Sequence, residues 1–400
     1  MRVIFVSNYI NHHQVPFCEA MYERLKEDYY FIQTEPMEEE RVKMGWDASL
    51  AELPYVRKYY EEEAVCKELI EQSDIVLFGG VEDERYIVKR LRSGKLVVRL
   101  RERLYKEVQW KAITPRGLRK KYIDHTRYRN SQVYLLCYGG YVASDFHIVR
   151  AYPGKMFRWG YFPELILQNI DELLMKKRTR RDVEGKVSLL WAGRFIDWKH
   201  PEHAIEAAAR LKQEGFDFTL TMVGGGEMEE DLKMLVAQEG LADVVHFTGF
   251  QKPAAVRALM EQADVYLFTS DYKEGWGAVL NEAMNSGCAV VVNCAVGAAP
   301  FLIKPDRNGL IYPNGRQDLL YEKLVRLLRE PERMETLGRE AYHTIAREWN
   351  AAEAAKRLIP FLQNLTEGKL SPEKQGILSP APVISPRKMY RYMTNVSENS

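Results

Sequence analysis

The feature that most constrains the fold is a regular alternation of short apolar runs with helical patterns along the whole chain. The apolar runs predict strands that are buried on both faces. In chain order they cover residues 2–7, 29–34, 74–78, 96–100, 132–137, 187–192, 218–223, 244–247, 265–269, 289–293 and 310–312. Because helices rather than hairpin turns separate them, they predict parallel βαβ units. Two such series predict an α/β chain of two doubly wound, Rossmann-like domains.

The same rhythm predicts the domain boundaries. We expect a first domain over residues 1–164, a linker over 165–184 and a second domain over 185–348. A linker is expected because the strand rhythm stops there and a basic run, Lys176–Arg181, takes its place. Residues 349–400 carry a helical pattern followed by a Ser- and Pro-rich segment, and we expect them to complete the first domain.

Composition excludes several classes of protein. The 57 Lys and Arg residues nearly balance the 56 Asp and Glu residues, which excludes a generally basic, nucleic-acid-coating protein. The five cysteines form no Cys-x-x-Cys pair, so we expect buried thiols and no structural metal. The sequence has no run of 18 apolar residues, and we expect a chain made and kept in the cytoplasm.

The charge is unevenly spread within the first domain. From Arg85 to Arg129, 16 Lys and Arg residues stand against three acids, whereas 16 acids stand against seven bases from Glu19 to Asp74. Trp110, Leu118 and Tyr122 interleave with the bases, a pattern typical of contact with an anionic membrane surface. The alternative is that the bases form salt bridges with the acidic segment. Nucleic acid is not expected as a partner.

The candidate chemistry lies in the turns that follow strands of the second domain, where open parallel sheets bind their ligands. After the run 265–269, Glu274 and Glu282 stand eight residues apart, and a helix is expected to begin near Gly277. Eight helical steps return to within about 80° of the starting direction, so both carboxylates can face one cleft. With Gly275 they flank a helix N-terminus suited to phosphate.

The turn after the run 187–192 carries two cations, Arg194 and Lys199. A guanidinium and an ammonium fixed at this position can neutralise a diphosphate. Carboxylates that bind hydroxyls, together with cations that bind phosphates, indicate a nucleotide sugar as the ligand. A paired-carboxylate hydrolase is disfavoured, because Glu282 lies too far along its helix to flank the same anomeric carbon.

Five segments in this order resemble the donor-binding half of the retaining GT-B glycosyltransferases of the "glycosyl transferases group one" type. They read GRFIDWK, MVGGGEMEEDL, VVHFTGF, ADVYLFTS and EGWGAVLNEAMNSGCAVV. The resemblance covers about Val187 to Trp349. It implies the GT-B fold, in which two Rossmann-like domains face a cleft and a C-terminal helix crosses back to the first domain.

The resemblance also implies roles for individual residues. Arg194 and Lys199 would bind the donor diphosphate and stabilise the leaving group, Glu274 would contact the sugar, and Glu282 would bind the ribose. The remaining donor-binding positions that the resemblance implies are Gly193, Gly249, Phe250, Gly275, Trp276 and Gly277. Gly249 and Phe250 would face the nucleobase, largely through the main chain.

The first domain resembles the family less and would supply the acceptor side. Its first strand ends in a polar turn with Asn11, His12 and His13, directly over the expected cleft. Many family members place a His after the fourth strand of this domain, whereas the corresponding stretch here offers Glu102 and Arg103.

Together these observations predict a retaining glycosyltransferase that moves a sugar from a nucleotide diphosphate to a glycan or lipid-linked glycan in polysaccharide biosynthesis. Since the chain contains no Asp-x-Asp, we expect side chains and a helix end rather than a metal to neutralise the diphosphate, and no cofactor. Peripheral attachment at the inner face of the membrane would fit the basic stretch. The alternatives are a nucleotide-sugar epimerase and a catalytically silent nucleotide-sugar-binding or scaffold protein.

Overall fold

The computed structural model describes residues 1–43, 46–106 and 114–397. Its strands are β1 Val3–Ser7, β2 Tyr29–Gln33, β3 Val56–Lys58, β4 Ile75–Gly79, β5 Val97–Arg101, β6 Val133–Tyr138, β7 Met156–Trp159, β8 Val187–Ala192, β9 Phe218–Val223, β10 Val245–Gly249, β11 Val265–Phe268, β12 Ala289–Asn293 and β13 Leu310–Tyr312. Its helices are α1 Val15–Leu25, α2 Glu39–Lys43, α3 Glu63–Gln72, α4 Val88–Arg92, α5 Pro115–Asp124, α6 Val142–Ile148, α7 Ile170–Glu184, α8 Pro201–Gln213, α9 Glu229–Gln238, α10 Pro253–Gln262, α11 Ala278–Asn285, α12 Ala299–Leu302, α13 Gln317–Arg329, α14 Pro331–Arg347, α15 Ala351–Thr366 and α16 Pro386–Ser397.

The strands form two parallel sheets, which confirms the predicted α/β class. The first sheet has the order β3-β2-β1-β4-β5-β6-β7 and the second the order β10-β9-β8-β11-β12-β13. Val3 of β1 pairs with both Tyr29 and Ile75, and the strand order reverses on the two sides of β1. The second sheet reverses in the same way around β8. Such a reversal opens a crevice at the carboxyl ends of the strands.

Two strands were missed by the hydrophobic pattern, and both lie at an edge of the first sheet. In β3 only Val56 is buried, followed by two half-buried basic residues, and β7 is interrupted by Arg158. An edge strand has one strand neighbour, so its side chains need less apolar character and its pattern is weaker.

The chain divides into two compact units. Unit 1 comprises Met1–Glu164 and Glu348–Ser385, and unit 2 comprises Leu165–Arg347 together with the residues from Pro386 onward. The prediction of a linker over 165–184 is therefore corrected. Most of this segment is the 15-residue helix α7, which belongs to unit 2.

Helix α7 is held in unit 2 by buried cations. The ammonium of Lys177 donates to the carbonyls of Ala263, at 2.6 Å, and Ser286, at 2.8 Å. Arg181 pairs with Asp264 and with Glu335, each at 2.9 Å. In sequence a buried, fully partnered cation is indistinguishable from a solvated one, and this is why the basic run resembled a linker.

The C-terminal residues were predicted to complete the first domain as one piece, and the structure corrects this. Helix α15 lies in unit 1 and packs against α1. The segment after it also lies in unit 1, where Leu378 is buried and its N–H donates to the carbonyl of Arg158 at 2.9 Å. Helix α16, however, belongs to unit 2, where the hydroxyl of Tyr272 donates to the carbonyl of Pro386 at 3.3 Å.

Within the described ranges, none of these helices combines the length and the apolar character needed to cross a bilayer.

Candidate functional site

The turn after β8 presents the two predicted cations. The N–H of Gly193 donates to the carbonyl of Val223 at 3.0 Å, which continues the pairing of β8 with β9 beyond the strand. Arg194 follows and is exposed, and its guanidinium forms no ion pair with any residue that the structure describes. A fixed main chain that carries a free guanidinium leaves that cation available to an anion.

Lys199 is held more tightly than Arg194. Its ammonium donates to the carboxylate of Glu274 at 2.7 Å, and the two side chains are only 15% and 13% exposed. The ammonium also lies 4.6 Å from the ring centroid of Trp198. The hydroxyl of Thr269, which accepts from the indole N–H of Trp191, donates to the Lys199 carbonyl. The structure thus brings together two predicted site residues from turns 75 positions apart.

The turn after β11 is shaped by its own hydrogen bonds and by contact with the β8 turn. The N–H of Asp271 donates to the carbonyl of Trp198 at 2.9 Å. The Asp271 carboxylate accepts from the N–H of Lys273 at 2.7 Å, and the N–H of Glu274 donates to the Asp271 carbonyl at 3.1 Å. Asp271 was not a predicted site residue, although it stands three positions before Glu274.

Gly277 ends this turn and is the N-terminal cap of α11, whose first residue is Ala278. The helix was predicted to begin near Gly277. The φ of Gly277, +89°, lies in the left-handed region, and a Cβ at this position would lie 2.6 Å from the ring of Phe268. Only glycine satisfies both constraints. Trp276 is buried, and its indole N–H donates to the side-chain oxygen of Asn281 at 2.9 Å. The side chain of Trp276 therefore faces the protein interior.

Glu282 lies within α11 as predicted. Its carbonyl accepts from the guanidinium of Arg257 at 2.8 Å, whereas its half-buried carboxylate forms no ion pair with a described residue. Burial raises the pKa of Glu282 to about 7, and the charge of Arg257 offsets only part of that rise. A carboxylate left without a partner in a partly desolvated place is available to ligand hydroxyl groups.

The charges of Glu274 and Glu282 both affect the pKa of one buried tyrosine, Tyr266. Burial raises the pKa of Tyr266 well above its ordinary value, and the charges of Glu282 and Glu274 raise it further. The hydroxyl of Tyr266 donates to the carbonyl of Ala192, the last residue of β8, at 3.1 Å. Glu274 and Glu282 lie in the turn and the helix that directly follow β11, which neighbours β8 at the point where the strand order reverses.

The turns after β9 and β10 complete this edge of the sheet. A Cβ at Gly224, whose φ is +133°, would lie 1.9 Å from the carbonyl oxygen of Gly193. Gly224 must be glycine because two turns meet there. Its N–H donates to the carbonyl of Gly249 at 3.0 Å, and the 64% exposed Phe250 lies beside Gly225.

One group of side chains in the described part of the chain has the composition of a metal site. The ligand atoms of His200, Glu202 and His203 lie within 4.8 Å of one another. The rings of the two histidines are stacked with an interplanar angle of 9°, and such parallel rings do not aim their lone pairs at one point. Interactions with Asp271 and Glu202 raise the pKa of His200 to about 9, so at neutral pH its ring is a donor to carboxylates.

In unit 1, the predicted acceptor-side residues after β1 are engaged in the turn itself. The side chain of Asn11 accepts from the N–H of His13 and donates to Gln14, both at 3.0 Å. His12 makes an edge contact with Trp46, with ring centroids 4.8 Å apart. Burial and the neighbouring His12 lower the pKa of His13 to about 3, so His13 is neutral.

The two residues predicted after the fourth strand of the sequence pattern have different environments. Arg103 is 7% exposed and is paired with buried Asp145, at 3.3 Å, so it is a structural cation of unit 1. Glu102 lies nearer the surface, where it accepts from the hydroxyl of Tyr161 at 3.1 Å and from Lys106.

The basic stretch Arg85–Arg129 is not a single surface. Arg90, Arg99 and Arg103 are buried and hydrogen-bonded inside unit 1. Lys89 pairs with Glu71 of the acidic segment at 2.6 Å, which is the alternative arrangement considered for these bases. Trp110, Lys111 and Glu107 lie outside the described residues. The exposed bases that remain lie mainly on α5 and just after it, at Arg116, Arg119, Lys120, Arg127 and Arg129.

Comparison with known proteins agrees with this architecture. Residues 175–344 match the family described as glycosyl transferases group 1, which confirms the resemblance predicted for this part of the chain. The structure of HepE from Anabaena in complex with UDP superposes with a TM-score of 0.67 at 14% identity, covering 91% of this chain and 100% of that chain. The fold is thus GT-B, as predicted.

Curated relatives cover a shorter part of the chain. The Salmonella typhimurium protein named as colanic acid biosynthesis glycosyltransferase WcaL is 28% identical over 221 residues, 53% of this chain and 54% of that protein. The amylovoran biosynthesis glycosyltransferase AmsK of Erwinia amylovora is 30% identical over 193 residues, 47% of each chain. The chain spans about half the length of the curated relatives it matches.

Proposed function

We propose that the protein is a retaining glycosyltransferase that moves a sugar from a nucleotide diphosphate to a glycan or lipid-linked glycan acceptor in polysaccharide biosynthesis. The observation that carries the proposal is the Lys199–Glu274 pair, which joins the turns after β8 and β11 beside the unpaired Arg194. The family match over 175–344, the UDP bound to HepE and the polysaccharide pathways in the names of WcaL and AmsK support it.

The reaction breaks the bond between the anomeric carbon and the diphosphate oxygen and forms a bond from that carbon to an acceptor hydroxyl oxygen. The acceptor proton leaves on the departing diphosphate. Negative charge grows on the diphosphate as the bond breaks, so fixed cations at Arg194 and Lys199 stabilise the transition state more than the ground state. Glu274 orients Lys199 and faces the sugar hydroxyls, and Glu282 holds the ribose.

The proposal includes independence from metal ions. Arg194, Lys199 and the N-terminus of α11 supply positive charge at the site without one. The rings of His200 and His203 are parallel to within 9° and do not aim their lone pairs at one point, which supports the same conclusion for the cluster next to Lys199.

Incubating the protein with UDP- or GDP-sugars, without acceptor and with EDTA, tests the proposal. We expect slow release of free sugar and nucleoside diphosphate, and the released sugar should be the retained anomer when observed early by NMR. Isomerised donor would establish the epimerase instead. Binding of donor in a thermal-shift assay without either product would establish the catalytically silent alternative.

We also propose that α5 contacts an anionic membrane surface. Leu118 and Tyr122, one turn apart, are 44% and 58% exposed, and Arg116 and Arg119 on the same helix form no ion pair with a described residue. Exposed apolar side chains on a helix that also carries free bases are suited to anionic headgroups, which attract each nearby base by about 1 kcal/mol.

Replacing both arginines, as Arg116→Ala with Arg119→Ala, should lower the affinity for phosphatidylglycerol vesicles by about tenfold or more, because two bases contribute about 2 kcal/mol. Co-sedimentation measures the change, and binding by the unaltered protein should weaken as salt is added. Val65→Ser, which alters an apolar residue of similar exposure on α3, is the control. Vesicle binding that is absent, or equal in all three proteins, would contradict membrane contact by α5.

A further inference from the structure

Unit 1 contains a cavity of about 410 Å³ that none of the donor-site residues lines. It opens at the carboxyl ends of β4, β5 and β6 and is bounded on one side by α5. Glu102 and Arg103, two predicted acceptor-side residues, line it, whereas Asn11, His12 and His13 do not. Its size is suitable for a monosaccharide that carries one substituent.

One part of the cavity wall is strongly cationic. Lys120, Lys121 and Arg101 line it together with His125. Arg101 is paired with Glu84, but neither lysine forms a salt bridge with a described residue. Burial lowers the pKa of Lys121, and the charges of Lys120 and Arg101 lower it further, while the carboxylates of Asp124 and Glu82, which also line the cavity, offset part of this lowering. Cations that repel one another around an empty volume are stabilised when an anion occupies it.

His125 adds a hydrogen-bond donor to this cationic wall. Arg99 lies 2.6 Å from its Nδ1, and since a guanidinium can only donate, Nδ1 is the acceptor. Burial and the surrounding cations, beginning with Arg99, lower the pKa of His125 well below its ordinary value, so the ring is neutral. Its proton is therefore on Nε2, which has no protein partner among the described residues. This N–H can donate to an anionic oxygen in the cavity.

Another part of the wall has the composition of a sugar site. Tyr138 and Tyr161 are stacked with centroids 4.5 Å apart and an interplanar angle of 12°, and both line the cavity. The hydroxyl of Tyr161 donates to Glu102, whose carboxylate retains acceptor capacity for ligand hydroxyls. A flat aromatic surface beside a carboxylate is suited to a polyhydroxylated ring.

Helix α5 separates this cavity from the proposed membrane face. Lys120, Lys121 and Asp124 line the cavity, while Leu118 and Tyr122 of the same helix are exposed. At about 100° per residue, Lys120 and Asp124 lie on the side of the helix away from Leu118 and Tyr122, whereas Lys121 lies between the two sides, about 60° from Leu118.

We propose that this cavity binds a glycosyl phosphate, with the phosphate at Lys120, Lys121 and His125 and the sugar ring against Tyr161 and Glu102. The proposal rests on the proposed function, since it names the class of acceptor: a sugar whose anomeric oxygen carries phosphate. A free sugar phosphate and a lipid-linked sugar share this chemistry.

Calorimetric titration of the full chain with α-glucose 1-phosphate, inorganic phosphate and glucose tests the proposal. The glycosyl phosphate should bind at least tenfold more tightly than either fragment, because it uses both parts of the wall. Equal affinity for phosphate and glucose 1-phosphate would overturn the sugar subsite, and absence of binding by all three at millimolar concentration would overturn the cavity as a site. A titration with the octyl phosphodiester of the same sugar distinguishes the sources, since tighter binding of the diester indicates a lipid-linked ligand and tighter binding of the monoester a free one.

Two variants locate the binding. Lys120→Ala with Lys121→Ala should weaken binding of glucose 1-phosphate by tenfold or more, whereas Arg127→Ala with Arg129→Ala, which removes two exposed bases outside the cavity, should leave it within twofold. Arg194→Ala separates this site from the donor site: unchanged affinity supports the cavity, and loss of binding assigns the ligand to unit 2 and overturns the proposal. Since no donor is present in these titrations, their failure is distinguishable from failure of donor hydrolysis.

Discussion

Lys199→Ala should reduce turnover by about 10²-fold or more while the protein remains folded, as removal of a charge that stabilises a developing anion does in other enzymes. Arg194→Ala should have a similar effect. The loss should be in kcat more than in KM, because positive charge is needed most as the leaving diphosphate separates. Donor hydrolysis without acceptor measures the effect before any acceptor is known.

The two cations should differ in their effect on stability. Lys199→Ala leaves the carboxylate of Glu274, which is 13% exposed, without its partner, so we expect a lower melting temperature. Arg194→Ala should leave the melting temperature nearly unchanged, because Arg194 is exposed. Lys273→Ala is a matched control, since Lys273 lies in the neighbouring turn and its ammonium is 3.6 Å from exposed Asp197. Near-normal turnover in both Arg194→Ala and Lys199→Ala would remove the diphosphate role from these residues.

Glu282→Ala should weaken nucleoside diphosphate binding by about tenfold or more, because hydrogen bonds to a charged group contribute about 1.5–3 kcal/mol. The catalytic rate at saturating donor should change much less, since the ribose is remote from the breaking bond. Calorimetry with UDP and GDP measures the affinity. Exposed Glu239→Gln, on the surface after α9, is the control.

The same site predicts a pH dependence. Burial raises the pKa of Glu282 to about 7, so its carboxylate, which we propose accepts hydrogen bonds from the ribose, is protonated below that pH and ionised above it. Nucleotide affinity should therefore rise between pH 6 and pH 8, and Glu282→Gln should abolish that rise. The folded-state pKa is raised above the ordinary 4.5, so Glu282 also costs stability as pH increases from about 4.5 through 7. Unchanged binding by Glu282→Ala, or a pH profile that persists in Glu282→Gln, would show that Glu282 does not hold the nucleotide.

Most of the fold was predictable because buried parallel strands are near-continuous apolar runs. The runs 187–192, 218–223, 289–293 and 310–312 coincide with β8, β9, β12 and β13, and the other seven agree with strands to within two residues at each end. What the pattern missed was the edges of the first sheet and helix α7. In these segments polar residues occupy positions in strands and a helix, and hydrophobic periodicity detects only the apolar positions.

The candidate donor site was predictable for a different reason. Parallel strands bring their carboxyl-end turns to one edge of a sheet, so Arg194, Lys199, Glu274 and Glu282 could be grouped before any contact was known. The partner of each residue could not be predicted. That Lys199 is bonded to Glu274 while Arg194 is free depends on side-chain distances between two turns.

The sequence by itself determined the α/β class, the number of doubly wound domains and the positions of the candidate cations and carboxylates, because these depend on local periodicity and strand ends. Only the tertiary structure decided which charges are available to ligands. In the stretch Arg85–Arg129 the same residue types are buried structural cations, salt-bridge partners or free bases, and Lys120 and Lys121 line a cavity that no spacing indicates. The physical reason is that the state of a charged group is set by its desolvation and its neighbours, which residues distant in the chain supply.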